Sequence, residues 1–266
     1  MERPKWAPGD IDLERPSVAR VYDYWLGGAH NFAADRAAGR KALEAMPDLR
    51  SVITANRVFL RRAVRYLLGV GVRQFLDLGS GIPTVGNVHE IAAGAKVVYV
   101  DIDPVAVAHS RAILDGDPLV RVLQQDIREP ASVLRSPDLR GLLDLAQPVA
   151  VLMTAVLHFV PDADGPRKIV AEYRDNVPVG SYLAVSHAGY DDAGTPRGLS
   201  EARSTYDRDV TPMTFRDRTE FTAFFDGFDV VEPGVVPLPL WRPGSPDDVT
   251  DDARIFPGFA AVGRKS

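Results

Sequence analysis

Apolar residues recur along this 266-residue chain in two rhythms. Short, mostly apolar runs fall at Phe75-Leu76, Val97-Val98-Tyr99-Val100, 119–123, Val149-Ala150-Val151-Leu152-Met153 and 181–186. A run without alternation predicts a strand covered on both faces, as in a parallel sheet. Further strands are expected over 229–236 and 259–263. Between them the spacing turns helical. Ser17 suits the cap of a helix over 18–26 that Gly27-Gly28 would stop. An alanine-rich helix over 33–46 ends before Pro47. In the next, over 49–68, Val52, Ala55, Phe59, Ala63, Tyr66 and Leu67 form one apolar stripe, with Arg57, Arg61, Arg62 and Arg65 elsewhere on it. Helices are also expected over 84–92, 104–114, 166–176, 196–209 and 219–225, with one or two short ones over 130–147. This alternation predicts an α/β protein with an open, mostly parallel sheet.

The rest of the chain is organised around Asp77-Leu78-Gly79-Ser80-Gly81, where the first strand runs into a glycine turn. Gly79 and Gly81 permit a left-handed backbone and put no Cβ between main chain and ligand. Such a turn lies at the carboxyl edge of the sheet, where open α/β folds bind nucleotides. The next strand ends in Asp101, 22 positions after Gly79. That is close to the spacing of about 20 at which an acid meets ribose hydroxyls. Nicotinamide enzymes and methyltransferases share this geometry. Here the turn is Gly-x-Gly-x-x-Thr, without the third glycine that lets a helix face a pyrophosphate. Asp77 also stands ready to serve an ammonium group.

With Val100-Asp101-Ile102-Asp103-Pro104 and Gln125-Asp126-Ile127-Arg128 downstream, the series resembles the ordered motifs of class I S-adenosylmethionine-dependent methyltransferases. The segment Tyr22-Asp23-Tyr24-Trp25-Leu26-Gly27-Gly28-x-x-Asn31-Phe32 narrows the likeness. It is similar to the signature of a bacterial S-adenosyl methyltransferase family with largely undefined substrates. The resemblance covers nearly the whole chain. It implies a Rossmann-like sheet of seven strands, mostly parallel with the last antiparallel, and an N-terminal helical extension. The chain divides into an arm and helical cap over 1–70 and a methyltransferase domain over 71–266; the stretch 191–215 departs from a minimal core, and its position after the fifth strand makes a substrate lid the expectation.

The resemblance also implies S-adenosyl-L-methionine as cofactor, held by Asp77, Gly79, Ser80, Gly81, Asp101, Ile102, Asp126, Ile127 and Thr154. Tyr24, Gly28 and Asn31 would fold over it, and Arg57 would reach the methionine carboxylate. Asp126 belongs beside the adenine amino group. Asp103 has a sufficient role as a helix cap before Pro104. His158, after the fourth strand, lies beside the transferable methyl; it reads as a general base or as a packed histidine that shapes the pocket. His187, Tyr190 and Tyr206 stand where substrate would sit.

Composition bounds the remainder. A formal net charge of −5 makes a nucleic-acid face unexpected, and no Asn/Asp-Pro-Pro-Tyr/Phe motif follows the fourth strand. A small-molecule acceptor is expected. The absence of cysteine and the scatter of five histidines argue against a metal site. No apolar leader or membrane-length run is present, so a cytoplasmic protein is expected. Two other readings stay open: a non-catalytic module that binds S-adenosylmethionine or its product, and, against the missing third glycine, a nicotinamide-dependent reductase.

Overall fold

A computed structural model describes residues 12–83, 86–190, 198–245, 253 and 256–266. Thr84, part of the expected lid (191–197) and part of the 237–252 loop lie outside the described residues. The central layer is an eight-stranded sheet. Its strands are β1 (Gln74–Leu78), β2 (Lys96–Asp101), β3 (Val120–Gln124), β4 (Ala150–Thr154), β5 (Tyr182–Ala188), β6 (Phe228–Val230), β7 (Val236–Pro237) and β8 (Gly258–Lys265). The order is β3-β2-β1-β4-β5-β8-β6, with β7 also on β8. The first five strands are parallel neighbours. β8 slots in antiparallel between β5 and β6, pairing Val185 with Ala261. The single strand expected over 229–236 is therefore two short ones. Pro233 and Gly234 interrupt it, and both pieces pair along the far edge of β8.

The apolar runs are strands because both faces are covered. Leu76, Leu78, Val98, Val100, Val151 and Met153 face one core, together with Val133, Leu139, Ile169 and Tyr173. Phe75, Val97, Tyr99 and Leu152 face the other, packed on Phe59, Leu60, Ala63, Leu67 and Trp241. The first core is roofed by α6 (Pro130–Leu134), α7 (Pro137–Leu142), α8 (Pro166–Asp175) and α10 (Arg218–Thr222). The second is roofed by α3 (Leu49–Gly69). This helix, counted with a cap in the sequence reading, is one layer of the sheet sandwich. Its buried stripe is Ile53, Asn56, Phe59, Leu60, Ala63, Val64 and Leu67. Burying an aliphatic side chain contributes about 1.5–3 kcal/mol, so this stripe is a main anchor of the layer.

The crossover after β1 differs from expectation. Instead of 84–92 the helix is α4 (Val88–Ile91), because Asn87 and Glu90 form a capping box that starts it later. α5 (Pro104–Ile113) begins as expected, with Asp103 Oδ1 accepting from the amides of Val105 and Ala106 at 2.8 and 3.1 Å.

A smaller helical layer sits beyond the carboxyl ends of the strands. α1 (Val18–Trp25), α2 (Ala33–Ala45) and α9 (Leu199–Asp209) pack Val21, Trp25, Ala38, Ala42 and Tyr206 against Ile53. The Trp25 and Tyr206 rings lie 5.7 Å apart. This roof joins the N-terminus to a segment that follows β5.

Candidate cofactor cleft and acceptor chamber

The sheet's carboxyl edge opens into a cleft of about 620 Å³. Four strand ends build it. Gly79, at φ 73°, and Gly81, at φ 67°, form the turn after β1. A Cβ on Gly79 would lie 2.3 Å from Val156 Cγ2, whereas one on Gly81 would meet nothing within 4 Å. Close packing thus excludes a side chain at the first position, and left-handed backbone disfavours one at the second. Asp101 pins the turn, with Oδ2 accepting from the Gly81 amide at 2.7 Å and Oδ1 from the Asp103 amide at 2.8 Å. Ile102 follows with 59% of its surface exposed, an apolar platform on the cleft wall. Gln125, Asp126 and Ile127 come from the end of β3 and Thr154 from the end of β4.

The electrostatics of the cleft call for a cation. Burial lifts the Asp77 carboxyl to about 7; Arg57 opposes that rise and Asp101 adds to it. Burial likewise lifts Asp101 to about 6, against the backbone bonds from Asp103 and Gly81. Two buried carboxylates that ionise reluctantly favour a positively charged guest beside them. Arg57 shares the cleft and donates through Nη2 to Asn87 Oδ1 at 2.9 Å. Asp126 is different. Burial raises its carboxyl, but Arg128 outweighs that and holds it below the usual range. Arg128 gives it one bond from its amide and three from its guanidinium.

The N-terminal contribution comes from residues that the sequence reading did not assign to the cofactor. Ser17, Val18, Ala19 and Tyr22 line the cleft. Arg20, 4% exposed, clamps α1 in place. Its Nε lies 3.6 Å from carboxylate oxygens of both Asp35 and Asp103, and its Nη2 donates to the Arg15 carbonyl at 2.8 Å. Tyr24, Gly28 and Asn31, expected over the cofactor, line neither the cleft nor the chamber described below. They build a knot around buried Asp23. Its Oδ2 accepts from Asn31 Nδ2 at 2.8 Å and from the His30 amide at 2.9 Å. A Cβ on Gly28 would fall 2.0 Å from Asp23 Oδ1. Tyr24 packs on Gly39. The signature shapes the loop after α1.

Beside the cleft lies a chamber of about 120 Å³ beneath the helical roof. Its walls include Trp25, Ile53, Phe159, Ala202, Tyr206 and Met213. Tyr22, Asn56, Ala155 and Phe159 border both spaces. A hydrogen-bond chain fixes this shared wall. Ser186 Oγ donates to Asn56 Oδ1 at 2.5 Å, and Asn56 Nδ2 donates to the Tyr22 hydroxyl at 2.9 Å. The Ala155 amide donates to Ser186 Oγ at 3.0 Å, which holds Ala155 at φ 53°. Such a non-glycine conformation costs of order 1–3 kcal/mol and persists where its surroundings enforce it.

His158 and His187 line the chamber, as does Tyr206. Burial pushes the His158 imidazole down to about 3, with the Arg216 charge adding to the effect. Its Nδ1 accepts from the Ala188 amide at 3.3 Å, so the ring carries its proton on Nε2. A general base needs an open lone pair and a pKa near the working pH. His158 has neither, and the geometry matches the other reading, a packed histidine that shapes the pocket. His187 donates from Nδ1 to the Ala188 carbonyl at 2.5 Å and accepts at Nε2 from Arg216 Nη1 at 2.8 Å. Its pKa is driven far down by burial, His158 and Arg216. Tyr190 is 46% exposed and lines neither space.

The sequence reading also missed Asn56 and Ser186. Asn56 was legible in principle: it is a polar residue inside the buried stripe of α3, which runs through Ile53 and Leu60 rather than Val52 and Ala55.

A parallel sheet with an inserted antiparallel β8, a glycine turn after β1 and an acid closing β2 define a class I methyltransferase fold. A family model described as S-adenosyl methyltransferase matches residues 4–266, and the chain belongs to that family. Its cofactor is S-adenosylmethionine. A DUF574 family protein from Streptomyces avermitilis is 37% identical over 96% of this chain and 99% of its own, with a TM-score of 0.89. A candidate methyltransferase from Thermobifida fusca is 38% identical over 99% of this chain and 100% of its own, with a TM-score of 0.90. The magnesium protoporphyrin IX methyltransferase of Synechocystis, crystallised with bound SAM, shares the fold at 13% identity and TM-score 0.52, over 98% of this chain and 100% of its own. No curated protein matches the chain. None of the helices among the described residues is long and apolar enough to cross a membrane.

Proposed function

We propose that this methyltransferase moves the methyl group of S-adenosylmethionine onto a small molecule held in the chamber, by in-line displacement across the wall shared with the cleft. The observation that carries this reading is the joint border: Tyr22, Asn56, Ala155 and Phe159 face both spaces. A methyl donor in one space and an acceptor in the other meet there without passing through water. Displacement at a sulfonium methyl requires little covalent help. The chain's work is to bind, align and exclude solvent.

In this reading Asp77 receives the methionine ammonium and Arg57 the carboxylate. Asp101 accepts from the ribose hydroxyls while holding the Gly79–Gly81 turn. Ile102 and Ile127 flank the adenine, and Asp126 accepts its amino group in competition with the Arg128 fork. The chamber's small volume and apolar walls support a small-molecule acceptor over a macromolecular one.

Isothermal calorimetry with S-adenosylmethionine, S-adenosylhomocysteine and NADH tests the cleft. Binding of the two adenosyl ligands without NADH is the expected result. Binding of NADH alone, or of none, would remove the reading.

A further inference from the structure

We propose, resting on the functional reading above, that the chamber takes a single-ring compound whose oxyanion is already formed at neutral pH, a carboxylate or an acidic phenol. The chain then has no proton to remove from it.

Three observations point there. The first is size. An apolar cavity of about 150 Å³ takes a benzene-sized guest, and the chamber, at about 120 Å³, has room for one ring and no more. The second is the lack of a base. Among the described residues no carboxylate lines the chamber. Both imidazoles there have their lone pairs engaged, His158 by the Ala188 amide and His187 by Arg216. An aliphatic alcohol would find nothing to take its proton, and an ammonium would find no counter-charge. The third is the polarity of what remains. His158 Nε2–H has no partner among the described residues and sits beside Phe159, their rings 4.2 Å apart, next to the shared wall. Arg203 adds the one guanidinium on the chamber wall among the described residues, stacked 4.8 Å over Phe215 and with Nε 3.5 Å from Asp207 Oδ2 behind the wall. An N–H donor and a guanidinium on a wall that carries no carboxylate favour an anion.

The chemistry is consistent with a dry chamber. The acceptor's oxygen lone pair forms the new O–C bond as the S–C bond breaks and its electron pair returns to sulfur. An anion and a sulfonium become a neutral methyl ester or ether and a neutral thioether. A reaction that annihilates charge is aided by leaving water.

The test uses the full chain and begins with S-adenosylhomocysteine binding by calorimetry. No binding overturns the cofactor reading and this proposal with it. The loaded protein is then titrated with benzoate, pentafluorophenol, benzyl alcohol and benzylamine. Benzoate or the phenol is expected to bind at least tenfold more tightly than the other two. With S-adenosylmethionine, methyl benzoate or pentafluoroanisole should accumulate by mass spectrometry, and the one that forms tells carboxylate from phenol. Ala202→Phe, which plugs the chamber, should abolish ring binding and leave S-adenosylhomocysteine affinity intact. If that variant loses both, Met213→Trp repeats the plug at a half-buried position. His158→Phe should shrink the tenfold preference for the anion. The chamber proposal fails, with the cofactor reading intact, if the loaded protein binds no ring compound, prefers benzyl alcohol or benzylamine, or keeps its ring binding when plugged.

Discussion

The cleft and the chamber share a wall and solve opposite problems. The cleft keeps Asp77 and Asp101 buried near one another, at an energetic disadvantage that a cationic guest relieves. It is built from turns at the ends of neighbouring strands, so its parts lie in short motifs. The chamber has no carboxylate among its described walls: its two imidazoles are neutral and engaged, and apart from the Arg203 guanidinium its walls are mostly aromatic and aliphatic. Its parts come from α1, α2, α3, α9 and the turn after β4, scattered across the chain. A charged site that binds one fixed ligand can be written in local sequence. An apolar site shaped by helix packing is written in the tertiary structure.

The sharpest way to break this contrast is at glycine. Gly79→Ala forces a Cβ into Val156 at a left-handed position. About 1–3 kcal/mol of overpacking and about 1–2 kcal/mol of backbone strain should nearly abolish S-adenosylhomocysteine binding in calorimetry. Gly28→Ala meets Asp23 and should lower the melting temperature through a similar overpacking cost of about 1–3 kcal/mol. Its folded fraction should bind S-adenosylhomocysteine as the wild type does. Equal losses of affinity in the two variants would return Gly28 to the cofactor site.

Next in size is Asp101→Ala. It removes the acceptor of two backbone bonds and the proposed ribose contact. Loss of one hydrogen bond to a charged group is worth about 1.5–3 kcal/mol, roughly a ten- to hundredfold rise in dissociation constant for S-adenosylhomocysteine. Unchanged affinity would take Asp101 out of the site.

A smaller effect separates the two regions by their protons. With no base in the chamber, kcat on the best acceptor should show no inflection near the ordinary histidine pKa of 6.5, and His158→Phe should leave the shape of that profile alone. An inflection there that disappears in the variant would make His158 a base after all.

The last contrast is in stability. Asp77 has a folded pKa of about 7 against an ordinary 3.8. The folded state therefore holds its proton more tightly. That contribution is fully present below about 3.8 and is lost as pH rises through about 7. His158 runs the other way, from an ordinary 6.5 down to about 3 in the fold. Its contribution is full above 6.5 and lost as pH falls toward 3. Thermal melts of ligand-free Asp77→Asn should thus gain on the wild type between about pH 4 and 7. A constant difference across that range would show that Asp77 titrates normally.

These tests map onto what was legible in the sequence. The parallel sheet, the β1 turn, Asp101 and the Asp103 cap were readable because strand burial and helix capping act over a few residues. The α3 stripe was read correctly at Phe59, Ala63 and Leu67 but one position out of register in its first turns, at Val52 and Ala55. Amphipathic spacing tolerates such a shift, and with it the polar plug at Asn56 went unseen. The N-terminal signature marked an important segment but not its role. Gly28 and Asn31 serve Asp23, five and eight residues before them, whereas Tyr22, which opens the signature, and Ser17, which precedes it, reach the cleft. Of the chamber the sequence pointed to His158, His187 and Tyr206, but not to Trp25, Ile53 or Phe159, which converge on it only after folding.

The roof has a consequence for how the protein is made. α1 and α2 rest on α9, with Trp25 against Tyr206 and Lys41 Nζ 2.9 Å from Asp209 Oδ2. The first helices leave the ribosome well before their partner has been synthesised. β8, which fills the gap between β5 and β6, comes last of all. Until then the nascent chain presents Trp25, Ala42 and one side of β5 to solvent. Long-range pairing of this kind slows folding and leaves sticky surface exposed meanwhile. The chamber, lined by Trp25 of α1, Tyr206 of α9 and Gly258 at the start of β8, is therefore assembled late, after the cleft, whose lining is complete by Thr211.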